Sequence, residues 1–277
     1  MLAFAANSVL CRLALRDTQI DAATFTFVRL AAGALALALF VRRPTRDAAA
    51  GGNWTSAFAL FLYAAAFSFA YTRLPAGIGA LLLFGTVQTT MVAYGVWRGE
   101  RPTALQILGM LLAVGGLVVL LWPGASAPSP IAAALMLVAG IAWGGYSLRG
   151  RSSTDAQAAT RGNFIRSVPM AAALLLAAFA TLRVDAQGLV LAVASGALAS
   201  AGGYVIWYSV TPLLQPSQAA TVQLSVPLIA TIAGVVLLGE TMSPGQLAAG
   251  ACILGGIWLS LLFAGRRVAP SARSPKA

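Results

Sequence analysis

Residues 77–121 read GIGALLLFGTVQTTMVAYGVWRGERPTALQILGMLLAVGGLVVLL, two apolar arms around a charged turn, Arg98-Gly99-Glu100-Arg101-Pro102. Each arm runs about 20 residues, enough to cross a ~30 Å hydrocarbon layer at ~1.5 Å rise per residue. The same pattern returns further along. A shift of 140 positions lays Gly99-Glu100 on Gly239-Glu240, Gln106 on Gln246 and Gly115-Gly116 on Gly255-Gly256. A shift of 137 lays Arg12 on Arg149, Phe27 on Phe164 and Arg29 on Arg166. Glycine and alanine coincide by chance in such a composition. Coinciding charges and amides argue instead for a duplicated unit of roughly 140 residues.

Composition sets the solvent. Of 277 residues, 59% are hydrophobic and 9% charged, and mean hydropathy is +0.84. Soluble domains carry about 25% charged residues, so this is a polytopic membrane protein. Its apolar runs are continuous and do not alternate, which selects helices over a barrel. The net charge of +11 sits almost entirely between those runs, where basic residues mark topology. Membrane lipid is therefore the expected partner, and nucleic acid is not. Cys11 and Cys252 lie inside apolar segments and read as small packing residues, neither a disulfide nor metal ligands. Histidine is absent, and no metal or cofactor is expected. No cleavable signal peptide is evident.

Ten apolar segments can be drawn, at 2–15, 22–41, 54–71, 76–97, 103–122, 130–148, 162–181, 188–209, 217–238 and 245–264. The expected fold is all-α and integral to the membrane, ten transmembrane helices arranged as two inverted five-helix repeats. The first repeat covers 1–124, the second 130–265, and a basic tail 266–277 follows. The first segment is short for a span, so either it is clipped or the true start lies upstream of Met1. Breakers punctuate the connections: Pro44, Gly51-Gly52, Pro75, Pro102, the proline-rich 123–130 linker, Pro212, Pro216, and Ser243-Pro244 as helix cap and first turn.

Orientation follows from the basic residues. Arg42, Arg43, Arg46, Arg98, Arg101, Arg149, Arg151, Arg161, Arg266, Arg267, Arg273 and Lys276 fall on one side, 12 of the 18. Arg12, Arg16, Arg73 and Arg183 fall on the other, which predicts an inner-membrane protein with both termini cytoplasmic. Five crossings per half is an odd number, so the second half enters from the opposite face. Carriers use that arrangement to present one central site to each side in turn.

Glu100 and Glu240 in matching turns, Arg29 in the second segment, and Gln246, Gly250 and Gly255-Gly256 in the tenth resemble the drug/metabolite transporter superfamily, EamA type. The resemblance spans nearly the whole chain. It implies a multi-pass carrier for a small organic solute such as an amino acid or metabolite, working as an exporter, and not an enzyme. The halves have diverged: Pro227 has Val87 at its 140-shifted position.

Candidate site residues fall in two groups. Polar and aromatic residues near mid-membrane, Asn7, Gln88, Trp143, Tyr146 and Gln223, are the substrate-cavity candidates; the competing role for such residues is helix–helix glue. Trp97, Trp122 and Tyr208 at segment ends read as interfacial belt residues. Arg29, Arg166, Glu100, Glu240 and Pro227 are the structural or coupling candidates. An intramembrane arginine is costly and points to a cavity or to a fold-holding contact. Its recurrence at Arg166 favours the latter. Each glutamate reads as a turn anchor favouring the start of the next helix and pairing with an arginine. Pro227 removes a backbone hydrogen bond and is expected to kink its helix. Gly95 with Gly99, Gly140 with Gly144 and Gly196 with Ser200 have small-xxx-small spacing for close helix packing.

None of the seven acidic residues lies mid-segment, so no proton relay is apparent, and uniport or exchange stands beside antiport. An intramembrane enzyme would need a histidine, a metal cluster or a buried acid with a nucleophile, which this chain lacks. A lipid-linked sugar flippase or a structural membrane protein remains the alternative. The sequence is compatible with a monomer or a homodimer.

Overall fold

A computed structural model describes residues 1–41, 51–122, 127–150, 153, 155–210, 213 and 222–262. Among them are ten helices, a short 3-10 turn and no strand. The helices are α1 (Leu2–Asp17), α2 (Ala22–Phe40), α3 (Trp54–Tyr71), α4 (Ala76–Trp97), α5 (Ala104–Leu121), α6 (Pro130–Gly150), α7 (Ala156–Ala177), α8 (Ala186–Val210), α9 (Ser225–Leu238) and α10 (Pro244–Leu262). Seven of them, α2 to α6, α8 and α10, are long and apolar enough to cross a membrane. The other three differ for distinct reasons. α1 has 16 residues and α9 has 14, while α7 is long but carries Arg161 and Arg166. Leu111, Val119, Val236 and Leu237 are exposed on the outer surface, an apolar exterior that suits lipid.

Short polar side chains set the helix starts, each satisfying N–H groups that the first turn leaves orphaned. Asp21 accepts from Ala23 and Thr24, Asn53 from Ser56, Asp155 from Ala158 and Asp185 from Gly188. Asp155 moves the seventh segment earlier than the expected 162–181: α7 runs 156–177, and Phe179–Thr181 form the 3-10 turn. The duplicated turns are also built alike. Thr103 and Gln106 exchange reciprocal hydrogen bonds before α5, and Ser243 and Gln246 do the same before α10.

Gly99 and Gly239 take positive φ, +90° and +63°, which a side chain would resist. The backbone N–H of Glu100 donates to Gly95 O, and that of Glu240 to Gly234 O. This corrects the packing role expected for Gly95 and Gly99. Gly95 leaves room for the Glu100 carboxylate, as Gly234 does for Glu240, and nothing lies within 4 Å of where a Gly99 Cβ would be. Gly140 and Gly144 do pack closely, against Thr86 and Thr90 of α4, and Gly196 lies under the Arg29 carbonyl of α2.

Helices from the two halves interleave. α1 packs against α8 and α9, while α6 packs against α3 and α4. α2 meets α7, and α5 meets α10. This last crossing is antiparallel. A Cβ on Gly109 would meet Gly256 O at 2.5 Å, and one on Gly116 would meet Ala249 O at 2.9 Å. Ala249 and Gly256 are the 140-shifted partners of Gly109 and Gly116, so the contact is reciprocal.

Alternate connections gather at opposite ends of the bundle. At one end Arg12 pairs with Glu240, Asp21 accepts the Arg183 N–H, and Gln19 donates to Asp185. At the other, Asn53 N–H donates to Asn163 and Arg166 donates to Gly51 O. The 266–277 tail, Pro44, Pro123-Gly124, Pro212, Pro216 and the basic residues Arg42, Arg43, Arg46 and Arg151 lie outside the described residues. So does the 217–221 start expected for the ninth segment.

Candidate functional site

A small cavity of about 20 Å³ sits at the centre, walled by both halves. From the first half come Phe4, Asn7 and Ser8 of α1, Tyr63 and Phe67 of α3, and Leu83 and Phe84 of α4. From the second come Trp143 of α6, Tyr204 of α8 and Gln223 just before α9. The walls are aromatic. The Trp143 ring lies 4.9 Å from Tyr63 and 5.5 Å from Tyr204, centroid to centroid, and Phe4 meets Tyr204 edge-on at 5.8 Å. Such contacts stabilise beyond simple burial and hold ring positions.

The polar side of the cavity is organised by an irregular helix. Ala194–Gly202 of α8 is π-helical, with a turn wide enough to bring residues five apart onto one face. Ser195 and Ser200 both donate to Asn7 Oδ1, at 2.8 and 3.3 Å. Ser200 Oγ in turn accepts from Arg29 Nε at 3.4 Å. Arg29 is only 3% exposed. Its Nη2 donates to the Tyr63 hydroxyl at 3.2 Å, and its Cζ lies 5.0 Å from the Phe67 ring centre and 5.4 Å from that of Tyr63. Among the described residues Nη1 has no hydrogen-bond partner.

The expected site residues divide accordingly. Asn7, Trp143 and Gln223 line the cavity. Tyr146 lies one layer out, its ring stacked on Trp143 and its hydroxyl donating to Thr160. Gln88 is half-buried on α4 and is not part of the wall. Tyr208 corrects the belt expectation: its ring stacks on Tyr204 at 6.1 Å, extending the aromatic column, whereas Trp97 and Trp122 are exposed at helix ends. Pro227 lies in the first turn of α9, where a missing N–H breaks no intrahelical bond. The mid-helix kink expected for it is therefore a feature of the helix start.

Arg166 donates from Nη1 to the Gly51 and Gly162 carbonyls, a backbone staple at the bundle end. Glu240 accepts from Arg12 Nε at 3.0 Å and from the N–H of Ala76 at 2.7 Å. It thus caps α4 of the other half and not, as expected, the helix that follows it. Glu100 occupies the matching turn and is exposed. Among the described residues no group of His, Cys, Asp and Glu could hold a metal. The wall residues that sequence reasoning missed are Phe4, Tyr63, Phe67, Leu83 and Phe84, and behind the wall it missed Ser195. Tyr63 and Phe67 are four apart and share one helix face, but in an apolar segment that pattern does not distinguish a cavity wall from a packed interior.

Comparison with known proteins places the chain. The EamA-like transporter family model matches residues 1–122 and again 130–262. An uncharacterized protein of Pseudomonas aeruginosa is 54% identical over 262 residues, covering 94% of this chain and 91% of that protein. A protein of Streptantibioticus cattleyicolor named "Probable terminal-alkyne amino-acid exporter" is 31% identical over 245 residues, 83% of this chain and 80% of that one. A solved crystal structure at 18% identity shares the fold, with a TM-score of 0.62 over 96% of this chain and 98% of that one. This multi-pass membrane protein belongs to the EamA-like transporter family, within the drug/metabolite transporter superfamily.

Proposed function

We propose that the chain is an alternating-access carrier of a bacterial-type inner membrane that exports a small organic solute, such as an amino acid or a metabolite. Residues 1–124 and 130–265 act as two inverted repeats that open the central cavity to each face in turn. The observation carrying this reading is the make-up of the cavity wall: helices α1, α3 and α4 of one half, matched by α6, α8 and the approach to α9 of the other. The reciprocal α5–α10 crossing supports it, and so does a relative named as an exporter. Both termini lie in the cytoplasm, on the strength of the basic-residue bias.

Access fits the same scheme. An apolar vestibule of about 370 Å³ opens near the N-terminus, lined by Met1, Ile206, Trp207 and Val222 among others. Phe4 borders both spaces. On this reading the vestibule is the cytoplasmic approach and Phe4 closes it. The cavity itself has room for about one water, so the rings must part before a solute enters. No carboxylate lies at membrane depth among the described residues, so uniport or exchange stands beside proton antiport.

Cells overexpressing the chain, screened against amino acids, metabolites and toxic analogues, should show raised resistance and faster efflux for one chemical group. Unchanged efflux and resistance across that panel, with the protein verified in the membrane, would overturn the reading.

A further inference from the structure

We infer that the exported solute carries an anionic group, a carboxylate, and that Arg29 is the residue that receives it. The inference rests on the carrier reading above and deepens it by naming the chemistry of its solute.

The argument starts from an imbalance. A guanidinium offers five N–H donors and needs them met when buried, because desolvating an unpaired cation is costly. Arg29 spends one donor on Ser200 and one on Tyr63, at 3.4 and 3.2 Å. The two ring faces beside it add cation–π attraction. Among the described residues Nη1 remains unpartnered, at 3% residue exposure. Among the described residues its polar contacts are neutral hydroxyls, and the carboxylates all sit at helix ends or turns: Asp17, Asp21, Glu100, Asp155, Asp185 and Glu240.

Its repeat-related copy is held differently. Arg166, 137 positions on, sets its Nη1 on two backbone carbonyls at 2.7 and 3.0 Å. One copy is spent on the fold, and the other keeps an unmet donor at the centre. That centre is where the cavity lies. Tyr63 and Phe67, which hold the guanidinium, are themselves cavity wall, and Asn7, a third wall residue, is joined to it through Ser200. When the rings part, Arg29 stands directly behind them, bonded to the Tyr63 hydroxyl and set against the Tyr63 and Phe67 rings. A carboxylate there would accept from Nη1 and neutralise the cation, a charge-assisted pair. The aromatic faces of Trp143 and Tyr204 would cover the solute's carbon body.

The test uses the purified full-length protein in proteoliposomes, with exchange measured for matched pairs: leucine against leucinamide, and phenylalanine and phenylpropionate against phenylalaninamide. Wild-type protein should exchange the acids at least about tenfold faster than the amides, the scale of one charge-assisted hydrogen bond. Arg29→Lys should keep part of that preference and Arg29→Gln should lose it, each judged on material that remains monodisperse. The wild-type comparison stands even where a variant does not fold. Equal exchange of acids and amides by the wild type would overturn the role of Arg29 and leave the carrier intact. Exchange of neither class would bring down the carrier reading and this inference with it.

Discussion

Glu240 does at least two jobs with one carboxylate: it pairs with Arg12 of α1 and accepts the first N–H of α4. Both partners are largely shielded, with side-chain exposures of 13% and 8% for Arg12 and Glu240. Glu240→Gln should therefore lower stability by about 1–3 kcal/mol, read as a fall in Tm in detergent. Turnover per folded molecule should hold. Glu100 sits in the equivalent turn but is exposed, so Glu100→Gln should cost less than about 0.5 kcal/mol. A larger effect on turnover than on Tm at either position would point to coupling. At this scale the sequence was only partly legible. Asn7, Trp143 and Gln223 were visible because polar or amphipathic groups at depth are rare. Gln88 met the same criterion and lies off the wall, since spacing along a helix does not say which neighbour it faces. Arg29 and Arg166 looked alike in sequence and differ in what surrounds them.

Helices respond to substitutions by face. Gly115-Gly116 and Gly255-Gly256 look equivalent within each pair, yet only the second glycine of each meets a neighbour. Gly116→Ala would push a methyl within 2.9 Å of the Ala249 carbonyl and 2.8 Å of Ile253, destabilising by about 1–3 kcal/mol. Gly115→Ala has open space and should be neutral or slightly stabilising, since alanine is the better helix former. Thermal denaturation of the two variants checks this, and equal shifts would contradict the crossing. At the bundle end, Asp185 accepts from the Gly188 and Gln19 N–H groups, which hold its carboxyl below the ordinary 3.8. A carboxyl depressed in the folded state contributes stability above that ordinary value and loses it as pH falls through the lowered one. Asp185→Asn should thus lower Tm at neutral pH, and its gap to the wild type should close below about pH 3.8. Helix positions were the most legible feature, because length and hydropathy state them directly. The start of α7 was not, because the Asp155 cap lies outside the apolar run that was used to draw it.

Across the whole molecule, the duplicated Gly-Glu turns point to a two-part plan, and the reciprocal α5–α10 contact has the symmetry such a plan would give. What the repeat could not convey is the exchange of neighbours, α1 against α8 and α9 and α6 against α3 and α4, because offsets carry no information about contacts. Sidedness gives the test at this scale. A cysteine at the exposed Thr72 should react with a membrane-impermeant maleimide on intact cells, and one at the exposed Arg101 only after permeabilisation. The native Cys11 is buried, but Cys252, expected to be a packing residue, is exposed on α10, so both variants are made in a Cys252→Ala background. The reverse labelling would invert the orientation and turn the vestibule outward.

The bulged stretch of α8 has an angular consequence. In an unbroken α-helix successive residues are set about 100° apart, so Ser195 and Ser200 would diverge by about 140°. Straightening this stretch into a regular α-helix with no residue removed would swing Ser200 off Asn7 and turn everything beyond it, Tyr204 and Tyr208 included. One surplus residue in the backbone thus fixes which way an entire wall of the chamber looks.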